Sequence, residues 1–195
     1  MMPFNALRMR GGIALDLTED FSTDATGKFT NLSTGSAAWN SGTTSLRLSG
    51  TGNPIIRWDN GWPLFAIGQS LEMDYKIISE TGGGVGLRHG GIFLTTGSVY
   101  TGYRFVSQSG DLNFYRFSGG SGTLVANYAG AAASVIVGSD NTIKIVRVAA
   151  NTFDLYLNGA LVAAGVAGGG AFTDLRACMF GYINTIDYGR MRQWG

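Results

Sequence analysis

Asn141-Thr142-Ile143-Lys144-Ile145-Val146-Arg147-Val148, followed shortly by Phe153-Asp154-Leu155-Tyr156-Leu157-Asn158-Gly159, is the stretch that decides the fold. From Phe153 to Leu157 apolar and polar residues alternate with the period of two that belongs to a β-strand. Phe153, Leu155 and Leu157 are therefore expected to point inward, and Asp154, Tyr156 and Asn158 outward. Asn158-Gly159 tolerates positive φ at both positions, so it suits a tight hairpin into Leu161–Val166. In Thr142–Ala149 one face carries Ile143 and Ile145 and the other Val146 and Val148, so this strand is expected to be covered on both sides.

The same texture extends in both directions. Short alternating runs bounded by Gly, Asn, Asp and Ser occur at Ile13–Leu17, Ser45–Ser49, Ile55–Trp58, Leu71–Ser79, Gly84–Arg88, Ile92–Thr95 and Val99–Gln108. They continue at Asp111–Ser118, Thr123–Tyr128, Leu175–Ile183 and Thr185–Trp194, and helical periodicity is nearly absent. Ser109-Gly110 is a second hairpin turn. Within Leu71–Ser79 the face of Leu71, Met73, Tyr75 and Ile77 is apolar, opposite Glu72, Asp74, Lys76 and Ile78. So many short strands at regular turns predict an all-β sandwich of two antiparallel sheets. The expected organisation is one domain over 13–195, preceded by a short arm over 1–12 with a Gly11-Gly12 hinge. The glycine-rich stretches Gly82–Gly86, Gly119–Gly122 and Gly168–Gly170 open no helix, so they read as loops rather than as a phosphate cradle.

Composition narrows the function classes. Charged residues make up 14% of the chain, against roughly 25% in an average soluble domain. Eleven of the fourteen cations are Arg, the side chain preferred at interfaces for its planar, weakly hydrated fork. A surface covered in an assembly is one reading of this bias, and drift in a Gly/Ser/Thr-rich β protein is the other. The formal net charge of +1 leaves no electrostatic footprint for nucleic acid or a membrane surface. The single cysteine, Cys178, excludes an internal disulfide and reads as a small buried thiol. No apolar run approaches the roughly 20 residues of a membrane span. The stretch Met1–Arg10 has no apolar h-region, so synthesis and folding in a cytoplasm are expected.

Three segments together resemble the concanavalin A-like, laminin-G-type jelly rolls. Leu15-Asp16-Leu17-Thr18-Glu19-Asp20-Phe21 is similar to their opening, and Asn141–Val148 with Phe153–Gly159 is similar to their late hairpin. Ile186-Asp187-Tyr188-Gly189-Arg190-Met191-Arg192-Gln193-Trp194 resembles their final strand. The resemblance implies a jelly-roll sandwich, a fold that hosts lectins, hydrolases and structural modules alike. Similar domains occur in bacteriophage minor tail and virion proteins, which implies a particle-borne location.

Catalysis is not expected. Jelly-roll glycoside hydrolases need a second carboxylate a few residues along the strand to flank the scissile bond. After Glu72-Met73-Asp74 this chain has Lys76 and Ile77 there, and Glu80 lies too far on. His89 is the only histidine, so neither a histidine metal site nor a Ser-His-Asp arrangement has a basis. Asp20, Asp24 and Thr26 could supply oxygens for calcium, but such acidic loops are usually only solvated, and no metal or cofactor is expected.

Two non-enzymatic functions remain. The first is a virion structural protein, a capsid decoration (cement) subunit or tail component, expected as a homotrimer bound to other virion proteins. Met1, Met2, Phe4, Leu7 and Met9 of the arm would pack into a neighbouring subunit, with Arg8 and Arg10 pairing carboxylates. The alternative is a carbohydrate-binding module, such as a receptor-binding tip that holds a cell-surface glycan. Its candidate residues are Trp58 and Trp62 around Asp59-Asn60-Gly61, with Tyr100 and Tyr115 from the central hairpin. Tyr103, with Phe105, is assigned to the core.

Overall fold

Strands with one apolar face must bury it against another layer, and two sheets doing so make a sandwich. The computed structural model describes residues 15–50, 54–58, 62–80, 88–96, 100–170, 172–181 and 184–195. In chain order the first strands are β1 (Asp16–Glu19), β2 (Phe29–Asn31), β3 (Ser36–Asn40), β4 (Ser45–Ser49), β5 (Ile55–Trp58), β6 (Ser70–Glu80) and β7 (Arg88–Thr95). They are followed by β8 (Gly102–Gln108), β9 (Asp111–Ser118), β10 (Ser121–Tyr128), β11 (Asp140–Ala149) and β12 (Thr152–Leu157). The last three are β13 (Ala160–Ala167), β14 (Arg176–Phe180) and β15 (Asn184–Trp194).

Sheet one runs β13-β12-β11-β6-β15-β4-β3, with β1 also paired to β15 along Asp16↔Trp194 to Glu19↔Met191. Sheet two runs β10-β9-β8-β7-β14-β5-β2. Every pairing among the described residues is antiparallel. This is the expected two-sheet jelly roll. Two consecutive meanders, β7 to β10 and β11 to β13, supply one half of each sheet, while β14 and β15 slot into the interiors.

The inward faces are those that alternation assigns. Leu71, Met73, Tyr75 and Ile77 of β6 are buried, as are Ile143 and Ile145 of β11 and Phe153, Leu155 and Leu157 of β12. Opposite them lie Ile92, Leu94, Tyr103, Phe105, Leu112 and Phe114 of sheet two. Phe153 meets Tyr103 edge-on at 5.0 Å between ring centres, so the two sheets interlock through aromatics. Tyr188 of β15 sends its hydroxyl across to Gly91 N (3.1 Å) and Phe180 O (2.6 Å) in sheet two, tying the layers at one end. Gly90 has no side chain because a Cβ there would come within 2.6 Å of Ile186 Cδ1. Both hairpin turns adopt positive φ at their two central residues, 53° and 85° at Ser109-Gly110 and 49° and 81° at Asn158-Gly159.

Thr142–Ala149 is covered on one side only, since Val148 is 43% exposed and Val146 half-buried. A valine pair on an outer face looks like a buried strand in sequence, yet no third layer lies over it. The runs expected as Gly84–Arg88 and Ile92–Thr95 meet in a single strand, β7, which passes through Gly90-Gly91; residues 84–87 lie outside the described residues. β2 and β3, short strands at the sheet edges, were not expected. The arm, with Met1, Met2, Phe4, Leu7, Arg8, Met9 and Arg10, lies outside the described residues.

Candidate functional site

The outer face of a sheet in a two-layer sandwich ordinarily carries polar residues. On sheet two it carries a second apolar cluster of Ile55, Phe93, Val106, Phe117, Cys178 and Phe180. The registers Arg104↔Tyr115 and Arg104↔Phe93 put Arg104 in the middle of this face. Its guanidinium carbon lies 4.9 Å from the Tyr115 ring centre, 4.5 Å from Phe117 and 4.7 Å from Phe180. A planar cation stacked on rings is held in one orientation and stiffens the rings around it.

The accessible edge of this face is formed by β8, β9 and β10. The register Leu124↔Tyr115 sets a half-exposed tyrosine beside a leucine that is 50% exposed, making an apolar step. Polar groups fan out next to it. Tyr115 Oη donates to Gln108 Oε1 at 3.3 Å. Asn127 Nδ2 donates to Asp111 Oδ2 at 2.9 Å and to Asn113 Oδ1 at 2.8 Å. Gly130 N donates to Asp111 Oδ1 at 2.8 Å. These bonds, that from Asn127 above all, hold the Asp111 carboxyl below its ordinary range, so it remains an ionised acceptor in mild acid. The Asp111 carboxylate has further lone pairs to offer, while Asn113, a buried residue, holds the network from within, so the network is ordered but not saturated.

The sequence candidates divide between core and surface. Trp58 and Trp62, expected to flank an exposed turn, are 3% and 7% exposed and belong to the core. Trp58 meets Phe29 edge-on at 4.4 Å and Trp62 at 5.0 Å, and Trp62 Nε1 donates to Gln193 Oε1 at 2.7 Å. The reason is bulk: the space between β2, β5 and β15 is filled by large rings, which bury more area than they could gain outside. Asp59 and Asn60 lie outside the described residues, as does the side chain of His89. Tyr100 and Tyr115 are brought together on the outer face of sheet two, each 6.3 Å from the Phe117 ring centre. Tyr103 is fully buried, with its hydroxyl on Asn151 Oδ1 at 2.8 Å.

Arg104, Gln108, Asp111, Asn113 and Asn127 were not singled out from the sequence. For four of them the signal was present in the hairpin around Ser109-Gly110, where Arg104, Gln108, Asp111 and Asn113 occupy every second position on one face, broken only by Val106; Asn127 joins them only through the β9–β10 register. The pair Glu72 and Asp74 lies on the opposite, outer face of sheet one, and both bond Arg190, at 3.0 and 2.9 Å. Asp20 and Asp24 accept from Ser22 N and Thr26 N in local turns, and among the described residues no group of three acidic, histidine or cysteine side chains converges on a metal position.

No protein-family profile matches the chain, and no curated protein matches it in sequence. Solved structures do match. The carbohydrate-binding module CBM66 from Bacillus subtilis superposes with a TM-score of 0.62 at 16% identity, covering 83% of this chain and 91% of its own. A Bacillus subtilis protein described as having a galectin-like fold gives 0.64 at 11% identity over 94% and 96%. The VIP36 exoplasmic/lumenal domain in its Ca2+/Man-bound form gives 0.63 at 12% identity over 91% and 88%. The chain therefore has the galectin-like, concanavalin A-like jelly-roll fold.

Proposed function

We propose that this chain is a non-catalytic carbohydrate-binding module whose ligand lies on the outer face of sheet two, over β8, β9 and β10. The observation that carries the reading is the apolar step of Tyr115 and Leu124 beside the Asp111–Asn127–Asn113 network. A sugar ring has C–H faces and a rim of hydroxyls, so it needs an apolar surface and fixed polar partners side by side. Arg104 sets the position of Tyr115 from beneath. The similarity to a carbohydrate-binding module, a galectin-like fold and a Man-bound domain supports the same reading.

The decoration-subunit role expected from the low charge, the Arg bias, the arm and the resemblance to virion domains has no counterpart among these similar structures, whereas glycan binding does, so glycan binding is preferred. A receptor-binding position on a phage tail or similar adhesin is compatible with a glycan module and is part of the proposal. The test is a glycan array probed with the full chain and with Tyr115→Ala. Retention of at least one glycan class by the native chain, with about tenfold weaker retention by the variant, is expected. An array on which nothing is retained, or on which the variant performs as the native chain, would overturn the reading.

A further inference from the structure

The outer face of sheet one carries a different kind of surface. β4, β6, β11 and β15 form the floor of a cleft of about 650 Å³, within the range of roughly 300–1,000 Å³ typical of small-ligand sites. It exists because β15 bulges. The register shift between Tyr188 and Arg190 sets Gly189 into the cleft lining, and a Cβ built there would meet nothing within 4 Å. The space that a side chain at this position would take is left open.

Around this gap the charges are already paired. Asp187, 5% exposed, takes two bonds of 2.7 Å from Arg47. Asp74 accepts from Arg190 Nε at 2.9 Å and from Thr142 Oγ1 at 2.7 Å. Asp140 faces Lys76 at 3.3 Å. An ionic ligand would have to break one of these pairs, at a cost that its own contacts would first have to recover. A neutral ligand would not. Thr43 Oγ1 also donates to Asp187 Oδ2 at 3.4 Å and lies 2.7 Å from Ser45 Oγ, so what the cleft still offers is the remaining lone pairs of Asp74 and of Asp187 Oδ1, aimed by their arginines, and the acceptor oxygens of the lining hydroxyls.

We propose that this cleft is a second ligand site, for a neutral polyhydroxylated ring such as a single sugar unit. Asp74 and Asp187 accept from ring hydroxyls, Lys76 and the Thr43–Ser45 hydroxyl pair complete the rim, and Gly189 gives the ring its room. The inference does not depend on the sheet-two site, and the two faces together would let one chain hold two glycans on opposite sides.

The test is an amide chemical-shift titration of the isotope-labelled full chain with D-glucose, D-galactose, D-mannose and D-fructose. Lys76, Thr142, Asp187 and Gly189 report on the cleft, and Gln108, Asn113, Tyr115 and Asn127 on sheet two. Saturable shifts of the cleft group with at least one sugar are expected, weakened about tenfold or more by Gly189→Leu. If Gly189→Leu does not fold, Lys76→Gln, at an exposed pair, is read in its place, with severalfold weakening expected. Cleft amides that stay still with every sugar, or that titrate equally in the variant, overturn the second site. Shifts on sheet two alone uphold the sheet-two site and overturn this one, and shifts in the cleft alone uphold this one and leave the sheet-two site to the array.

Discussion

Tyr115 and Trp58 show how aromatic residues on strands can do opposite work. Both are aromatic and both belong to strands, but Trp58 closes the core against Phe29 while Tyr115 stands at the rim of an outer face. Trp58→Ala should therefore cost about 3–5 kcal/mol in chemical denaturation, the usual loss for a buried ring. A loss under 1 kcal/mol would show that the ring is not buried in solution. Alternation could not place Trp58, because only four residues, Ile55–Trp58, precede the polar Asp59-Asn60-Gly61 and three of them are apolar. It did place Phe153, Leu155 and Leu157, where six residues alternate without interruption. Arg147 is a case that sequence could not reveal. It is buried and donates to the carbonyls of Phe65, Ala150, Phe172 and Thr173, fastening three loops. Arg147→Met would leave those carbonyls without a donor and should cost about 2–4 kcal/mol, measured by urea unfolding.

At the scale of elements, glycine marks where strands approach too closely for a side chain and where they do not. A Cβ on Gly91 would overlap the backbone carbonyl of Phe105 on the neighbouring strand β8. Gly91→Ala must break that pairing, and loss of cooperative thermal unfolding is the expected result. Gly189→Ala, in open space on β15, should lie within about 0.5 kcal/mol of the native chain. Equal effects of the two would contradict the registers of β7 and β15. The hairpins were legible because Ser109-Gly110 and Asn158-Gly159 carry their turn chemistry in two residues. The bulge at Gly189 was not, since a single glycine inside an alternating strand says nothing about which partner it faces. The proposed binding face was half legible for the same reason: Tyr100 and Tyr115 declared themselves as aromatics and the hairpin spacing aligned Asp111 with Asn113, whereas Asn127 gains meaning only once β9 and β10 are in register.

For the whole molecule, the sandwich is held by buried rings and hydroxyls, and this sets its response to alkali. Burial pushes the Tyr75 and Tyr103 hydroxyls up to about 12, and Tyr188 is pushed up as well by the same cause. The folded chain therefore keeps protons that unfolded tyrosines lose near pH ~10. Stability should be fully present below about pH 10 and fall as the pH rises toward about 12, with spectroscopic tyrosine ionisation arriving together with unfolding. Ionisation of all eight tyrosines near their ordinary value in a folded chain would contradict the packing.

Whether the outer face of sheet two holds a glycan is decided by calorimetric titration of an array-selected glycan into the native chain and into a Tyr115→Ala/Asn127→Ala variant. Measurable binding heat is expected for the native chain, with at least a tenfold loss of affinity, about 1.4 kcal/mol, in a variant that still melts cooperatively. Equal affinities for the two proteins, or no heat with any glycan, would contradict it.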